Sequence, residues 1–129
     1  PIEEIILANK VVLNPIYFDF DKSNITAQAA FELDKLVQLM SKYESIVIRA
    51  ESHTDSRGSA SYNLSLSDRR AKTTAQYVIS KGIDASRITG SGKGETSPNV
   101  DCGRNCTEDE HQLNRRSEFF ILEGNPNDE

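Results

Sequence analysis

The chain has 129 residues, of which 36% are hydrophobic and 27% charged, and its formal net charge at pH 7 is -5. This length suits one domain with a hydrophobic core and is too short for two. The negative charge argues against non-specific binding to nucleic acid or to anionic lipid. The longest apolar runs are far shorter than a membrane span; they are Ile5–Leu7, Val11–Leu13 and Phe119–Leu122.

Residues 1–14 contain two of these runs, which could be short strands or part of a linker. We expect 1–14 to be a linker or a leading strand of a longer protein, 15–123 to form the domain, and 124–129 to be a flexible tail. Because the chain opens on Pro1, we expect any membrane contact to come through other parts of the full-length protein.

The first regular pattern is the alternation of apolar and polar residues over Ile16–Phe20, which predicts a strand. A turn cluster follows at Asp21–Asn24, and Thr26 can cap a helix. Apolar residues then recur at intervals of three and four, which predicts an amphipathic helix of about four turns. These apolar positions are Leu33, Leu36, Val37 and Met40.

A second alternation predicts a strand from Ser45 to Ser52, and the polar loop Thr54–Ser61 comes next. A helix is predicted from about Tyr62 to Lys81, with Gly82 as its stop. We expect its buried side to be formed by Ala71, Ala75 and Val78, extended by Leu64.

The last part of the chain predicts a strand over Arg87–Gly92, cut short by glycines, and a final strand over Ser117–Leu122. A long polar insertion, Thr96–Leu113, separates them. Strand–helix–strand units favour parallel pairing, whereas the last strand follows no crossover helix. We therefore predict a two-layer α+β (α/β) fold, βαβαββ, with a mixed parallel and antiparallel sheet and both helices on one face.

Three polar side chains indicate a binding site near the end of the second strand. Asp55 lies just past that end, where ligands sit in open strand–helix sheets. Asn63 and Arg70 are seven residues apart and share a helix face, with Leu66 as an apolar floor. A carboxylate can bind an ammonium group and a guanidinium a carboxylate, so a small zwitterion is predicted. The ordinary alternative is a turn-forming Asp and a solvated Arg.

The run HTDSRGSASYNLSLSDRRA, from His53 to Ala71, resembles the signature of the OmpA-like peptidoglycan-binding domain, the OmpA/Pal/MotB-like family. The resemblance extends to YFDFDKS at Tyr17–Ser23, GKGE at Gly92–Glu95 and NRRSEF at Asn114–Phe119. It implies a βαβαββ domain of an outer-membrane protein or lipoprotein, in the periplasm of a diderm bacterium. The implied function is non-catalytic anchoring to the cell wall, by binding the diaminopimelate residue of the peptidoglycan stem peptide.

The resemblance also implies roles for individual residues. Asp55 would bind the ammonium group of diaminopimelate and Arg70 its free carboxylate. Asn63 would lie in the pocket wall, Thr54 and the loop amides would complete the site, and the turn at Asp21 would form its rim. The family commonly has Gly before the HTD run, where this chain has Ser52; we expect a slight adjustment of the loop and no loss of binding.

Two other functions remain open at this point. One is an envelope protein–protein interaction domain or dimer with a vestigial pocket. The other is a hydrolase of wall peptides that uses His53, Asp55 and Ser56. Residues so close in sequence rarely form a catalytic triad, so we expect no enzyme activity and no cofactor.

The two cysteines, Cys102 and Cys106, lie in one polar loop, which favours a short disulfide in an oxidising compartment. Reduced thiols, or a zinc site completed by His111 and an acidic residue, are the alternatives, and we expect no metal. Arg115 and Arg116 enter the final strand and should point to opposite sides. We therefore expect at most one of them to face the pocket, and pairing with Glu95 or Glu118.

Overall fold

The computed structural model describes residues 5–19, 21–96 and 98–127. Two short strands, β1 (Ile6–Leu7) and β2 (Lys10–Val11), precede the first helix. The remaining elements in chain order are α1 (Ala27–Lys42), β3 (Val47–His53), α2 (Ala60–Ser80), β4 (Ile88–Gly94), α3 (Glu108–Asn114) and β5 (Arg116–Glu123). None of these helices is long and apolar enough to span a membrane.

The strands form one mixed sheet in the order β1-β2-β5-β3-β4. Strands β3 and β4 are parallel and are joined through α2, whereas β5 is antiparallel to both β3 and β2. The predicted mixed sheet is therefore confirmed. The final strand, β5, is the central strand of the sheet and lies between β2 and β3.

Both long helices pack on the same face of this sheet, as predicted. Thr26 caps the N-terminus of α1, as predicted, and its hydroxyl accepts a hydrogen bond from the Ala29 amide at 3.1 Å. Leu64 is 49% exposed and does not extend the buried side of α2. One apolar cluster contains residues of α1, α2 and the sheet, including Leu33, Leu36, Met40, Ala75, Val78, Ile48, Ala50, Phe119 and Ile121.

The predicted first strand is wrong over the described residues 16–19, which form no strand; Phe20 lies outside the described residues. The backbone here bonds to side chains at the start of α1 and not to a neighbouring strand. The Tyr17 amide donates to Gln28 Oε1 at 3.0 Å, and the Tyr17 carbonyl accepts from Thr26 Oγ1 at 3.1 Å. The β1–β2 hairpin occupies the position beside β5 instead.

Strand β4 runs through its glycines to Gly94 and does not end at Gly92 as predicted. The glycines are required because α2 crosses directly over the strand. A Cβ atom on Gly90 would lie within 3.0 Å of the Ala71 backbone, and one on Gly92 within 3.0 Å of the Asp68 backbone. Here the glycines permit close packing of helix on strand.

The polar insertion contains the helix α3, which was not predicted. Thr107 and Glu110 form a capping box, with each side chain bonded to the other residue's backbone amide. Cys102 and Cys106 form the predicted disulfide just before it, so their sulfur atoms are not free to bind zinc. Of the predicted tail, Asn125 donates to the Ala8 carbonyl at 2.8 Å, and residues 128–129 lie outside the described part.

Candidate functional site

A cavity of about 800 Å³ opens at the C-terminal end of β3. It lies between the loop that follows β3, the N-terminal half of α2, the segment before α1 and the junction of α3 with β5. All six residues predicted for the ligand site line it: Asp21, Thr54, Asp55, Asn63, Leu66 and Arg70.

Asp55 is buried at the start of the loop, and its carboxylate is held by two guanidinium groups. Arg57 Nη2 donates to Oδ2 at 2.8 Å and Arg115 Nη1 to the same atom at 2.7 Å. The Arg57 backbone amide donates to Oδ1 at 2.9 Å. Burial alone would raise the pKa of Asp55, but these hydrogen bonds outweigh it and hold the pKa well below its usual range.

Arg70 projects from α2 and lines the same cavity. Its guanidinium lies 4.9 Å from the ring centre of Phe18, and Nε donates to the Lys22 carbonyl at 2.9 Å. These contacts join α2 to the segment before α1, whose Asp21 has a positive φ of 59° and is exposed at the rim. Burial, followed by repulsion from Arg69, lowers the pKa of Arg70.

The other three predicted residues have different roles in the cavity wall. Asn63 Nδ2 donates to the Arg57 carbonyl at 2.8 Å and so holds the loop against α2. Thr54 Oγ1 is buried and has no hydrogen-bond partner among the described residues, which leaves a donor and an acceptor at the cavity. Leu66 is buried and supplies apolar surface.

His53 and Ser56 do not form a catalytic pair. The Ser56 hydroxyl donates to the Gly103 carbonyl. The His53 imidazole is buried, and burial, followed by the nearby Arg116, lowers its pKa to about 4. Its Nε2 lies 3.3 Å from Glu118 Oε1, but at an angle that makes no hydrogen bond. His53 is therefore neutral near pH 7.

Ser52 fits within β3, where its Oγ lies 3.3 Å from Ser117 Oγ on the neighbouring strand. The backbone around it is not in the left-handed region that would demand glycine. The Cβ atom that the family's usual glycine lacks is thus accommodated in the sheet.

Arg57 and Glu108 also line the cavity, although neither was predicted as a site residue. The prediction that at most one of Arg115 and Arg116 faces the pocket is wrong. Both Arg115 and Arg116 line the cavity, because Arg115 is the C-terminal cap residue of α3 and the alternation of the strand begins only at Arg116. Arg116 pairs with Glu118, as expected. The capping box at Thr107 was the available signal that Glu108 lies in the first turn of a helix.

The chain is similar in sequence to known outer-membrane and peptidoglycan-associated proteins. A family model described as the OmpA family matches residues 17–114. Outer membrane protein A of Bordetella avium is 39% identical over 117 residues, which cover 90% of this chain and 59% of that protein. The peptidoglycan-associated lipoprotein of Rhizobium meliloti is 38% identical over 87 residues, 67% of this chain and 49% of that protein.

The fold is also similar to that of solved structures. The crystal structure of the peptidoglycan-associated lipoprotein from Burkholderia pseudomallei has a TM-score of 0.72 at 24% identity, over 82% of this chain and 87% of that chain. A MotB-like protein of Desulfovibrio vulgaris has the same TM-score at 25% identity, over 82% of this chain and 67% of that one. The chain spans only about half the length of the two curated relatives.

Proposed function

The chain belongs to the OmpA family, and from that premise we propose that its cavity binds the peptidoglycan stem peptide through the diaminopimelate residue. The domain is periplasmic, like its relatives among outer-membrane proteins and peptidoglycan-associated lipoproteins. The observation that carries the proposal is that Asp55 and Arg70, with the four other residues predicted for the site, line one cavity.

The chemistry of the cavity suits the end of the diaminopimelate side chain, which carries an ammonium group and a carboxylate on one carbon. Asp55 is the acceptor for the ammonium group, and Arg70 is the donor for the carboxylate. The Thr54 hydroxyl, which is buried and unpartnered among the described residues, is a further donor or acceptor. Leu66 contacts the methylene chain.

We propose that the domain acts by binding alone, as an anchor. One head group held by two charges and a few neutral groups gives a modest affinity per site. Anchoring a protein of the outer membrane at high local concentration beside the wall compensates for that weakness. No catalytic step is needed.

Cosedimentation with purified diaminopimelate-type peptidoglycan tests this function. Asp55→Asn and Arg70→Gln each remove one charge from the cavity and should weaken binding about tenfold or more, because each leaves a charged ligand group unpaired. The matched controls are Asp109→Asn, in the first turn of α3, and Arg69→Gln, next to Arg70; both residues are exposed.

Wall material with lysine in place of diaminopimelate lacks the second carboxylate and should bind more weakly than the diaminopimelate type. If the wild type stays in the supernatant, the cavity is vestigial and the domain has another envelope partner. If both cavity variants pellet as well as their controls, the proposed mechanism is wrong. Release of soluble fragments from the wall would instead reveal a hydrolase.

A further inference from the structure

Two arginines and two carboxylates form a closed charge cluster at the cavity: Asp55, Arg57, Glu108 and Arg115. Arg57 bonds to Asp55 Oδ2 at 2.8 Å and to Glu108 Oε2 at 3.1 Å. Arg115 bonds to the same Asp55 oxygen at 2.7 Å and to Glu108 Oε1 at 2.8 Å. Each cation thus touches both carboxylates, and the cluster is neutral as a whole.

This arrangement leaves little room for another cation at Asp55. A carboxylate offers about four lone-pair positions. Oδ2 accepts from both guanidinium groups, and Oδ1 accepts from the Arg57 backbone amide at 2.9 Å and from Arg57 Nε at 3.3 Å. A ligand ammonium group can bind this carboxylate only if one guanidinium group withdraws.

Arg57 is the cation that can withdraw at the lower cost. Its side chain is 51% exposed, against 37% for that of Arg115, so it re-enters water more readily. It lies only two residues after Asp55, and its backbone amide keeps its bond to Oδ1 when the side chain turns away. Glu108 on α3 is already within reach as its second acceptor.

We propose that Arg57 is a built-in competitor for the ligand's ammonium group, and that Glu108 holds the Arg57 side chain when the ligand displaces it. The inference rests on the proposed function and adds two specificity-determining residues to it. A ligand binds only if it brings a cation to replace the one it removes from Asp55. A free primary amine meets this requirement, whereas an N-acylated amine does not.

If Arg57 competes with the ligand, substitutions of Arg57 and of Glu108 should change the affinity for the ligand in opposite directions. Arg57→Gln removes the competing cation and should tighten binding of meso-diaminopimelate about three- to fivefold, the scale of a partly exposed ion pair. Arg57→Lys keeps a competing charge and should bind close to the wild type. Glu108→Gln removes the alternative acceptor, so that Arg57 and Arg115 both depend on Asp55, and should weaken binding about threefold.

Calorimetric titration of the whole chain with meso-diaminopimelate and with its N-acetyl derivative acetylated on both amino groups, which carries no ammonium group, measures these changes. Lys81→Gln, at the far end of α2, and Asp109→Asn, beside Glu108, are the controls for loss of a positive and a negative charge. Thermal unfolding shows whether each variant is folded. Tighter binding of the amine by Arg57→Gln, with weaker binding by Glu108→Gln, supports the proposal.

Unchanged or weaker binding by folded Arg57→Gln overturns the competitor role, and a wild type that still binds meso-diaminopimelate leaves the proposed function intact. Equal binding of the N-acetyl derivative also overturns the inference, because no cation would then be exchanged. Failure of the wild type to bind either compound or diaminopimelate-type wall counts against the proposed function itself, and the inference falls with it.

Discussion

Asp55 keeps its charge because its neighbours replace the water that burial removes. A buried carboxylate without partners would be protonated near neutral pH. Here Arg57 and Arg115 both donate to it, and both side chains remain partly exposed. The result is a carboxylate that is ionised, already bonded and still reachable, which is the condition for exchanging one cation for another.

His53 should make the stability of the domain depend on pH in a defined range. Its pKa of about 4 in the folded protein lies below the ordinary value of 6.5, because burial favours the neutral imidazole. Below pH 6.5 the unfolded chain binds a proton that the folded protein does not, so stability falls as the pH drops from about 6.5 to about 4. The total loss from this residue should be about 3 kcal/mol.

Urea unfolding at several pH values between 4 and 7 measures this effect, and NMR titration of the imidazole measures the pKa directly. In His53→Gln the fall in stability over this range should be smaller by the same amount. A ring that titrates near 6.5, or an unchanged slope in the variant, would contradict this assignment.

At the scale of elements, the close packing of α2 on β4 depends on strand positions that carry no side chain. The glycines of β4 allow the helix backbone to approach the strand closely. The Ser67 hydroxyl accepts from the Gly94 amide at 2.9 Å, and the Gly94 carbonyl accepts from the Thr54 amide at 2.8 Å. The start of α2, the end of β4 and the Asp55 loop therefore form one bonded unit.

Gly92→Ala should destabilise the domain by about 3 kcal/mol, because the new methyl group overlaps the Asp68 backbone. Gly82→Ala, just past the end of α2, is the comparison. Its φ of 104° is strained for alanine, but nothing lies within 4 Å of the added atom, so the cost should be only about 1 kcal/mol. Chemical unfolding gives both values, and equal losses would refute the packing argument.

At the scale of the whole molecule, the β1–β2 hairpin completes the sheet and the core. Its second strand, β2, pairs with β5, the strand that also borders β3, and β1 forms the edge of the sheet. Ile6 and Val11 are both buried in the main apolar cluster. Within the segment expected to be a linker or a leading strand, residues 6–11 thus form two strands and contribute to the core.

Substitution of two adjacent valines measures how much the hairpin contributes to the stability of the domain. Val11 is 3% exposed and Val12 is 49% exposed. Val11→Ala should lower the free energy of unfolding by about 2 kcal/mol, from lost burial and the cavity that remains. Val12→Ala should change it by less than about 0.5 kcal/mol. Similar values for the two would mean that the hairpin is not part of the cooperative fold.

The sequence by itself determined the two long helices, three of the strands, the family and six of the residues that line the cavity. Helix and strand periodicity, and motifs such as the run from His53 to Ala71, depend on residues near each other in the chain. The same spacing placed Asn63, Leu66 and Arg70 on one face of α2. Local patterns were sufficient for these features.

Only the tertiary structure decided which apolar segment borders β5 and which charges meet at Asp55. The alternation at residues 16–19 is that of a strand, but side chains of α1 take its backbone hydrogen bonds. Arg115 reaches Asp55 from 60 residues away, and Arg57 reaches Glu108 across 51. Such contacts depend on how loops close in space, which the order of nearby residues does not encode.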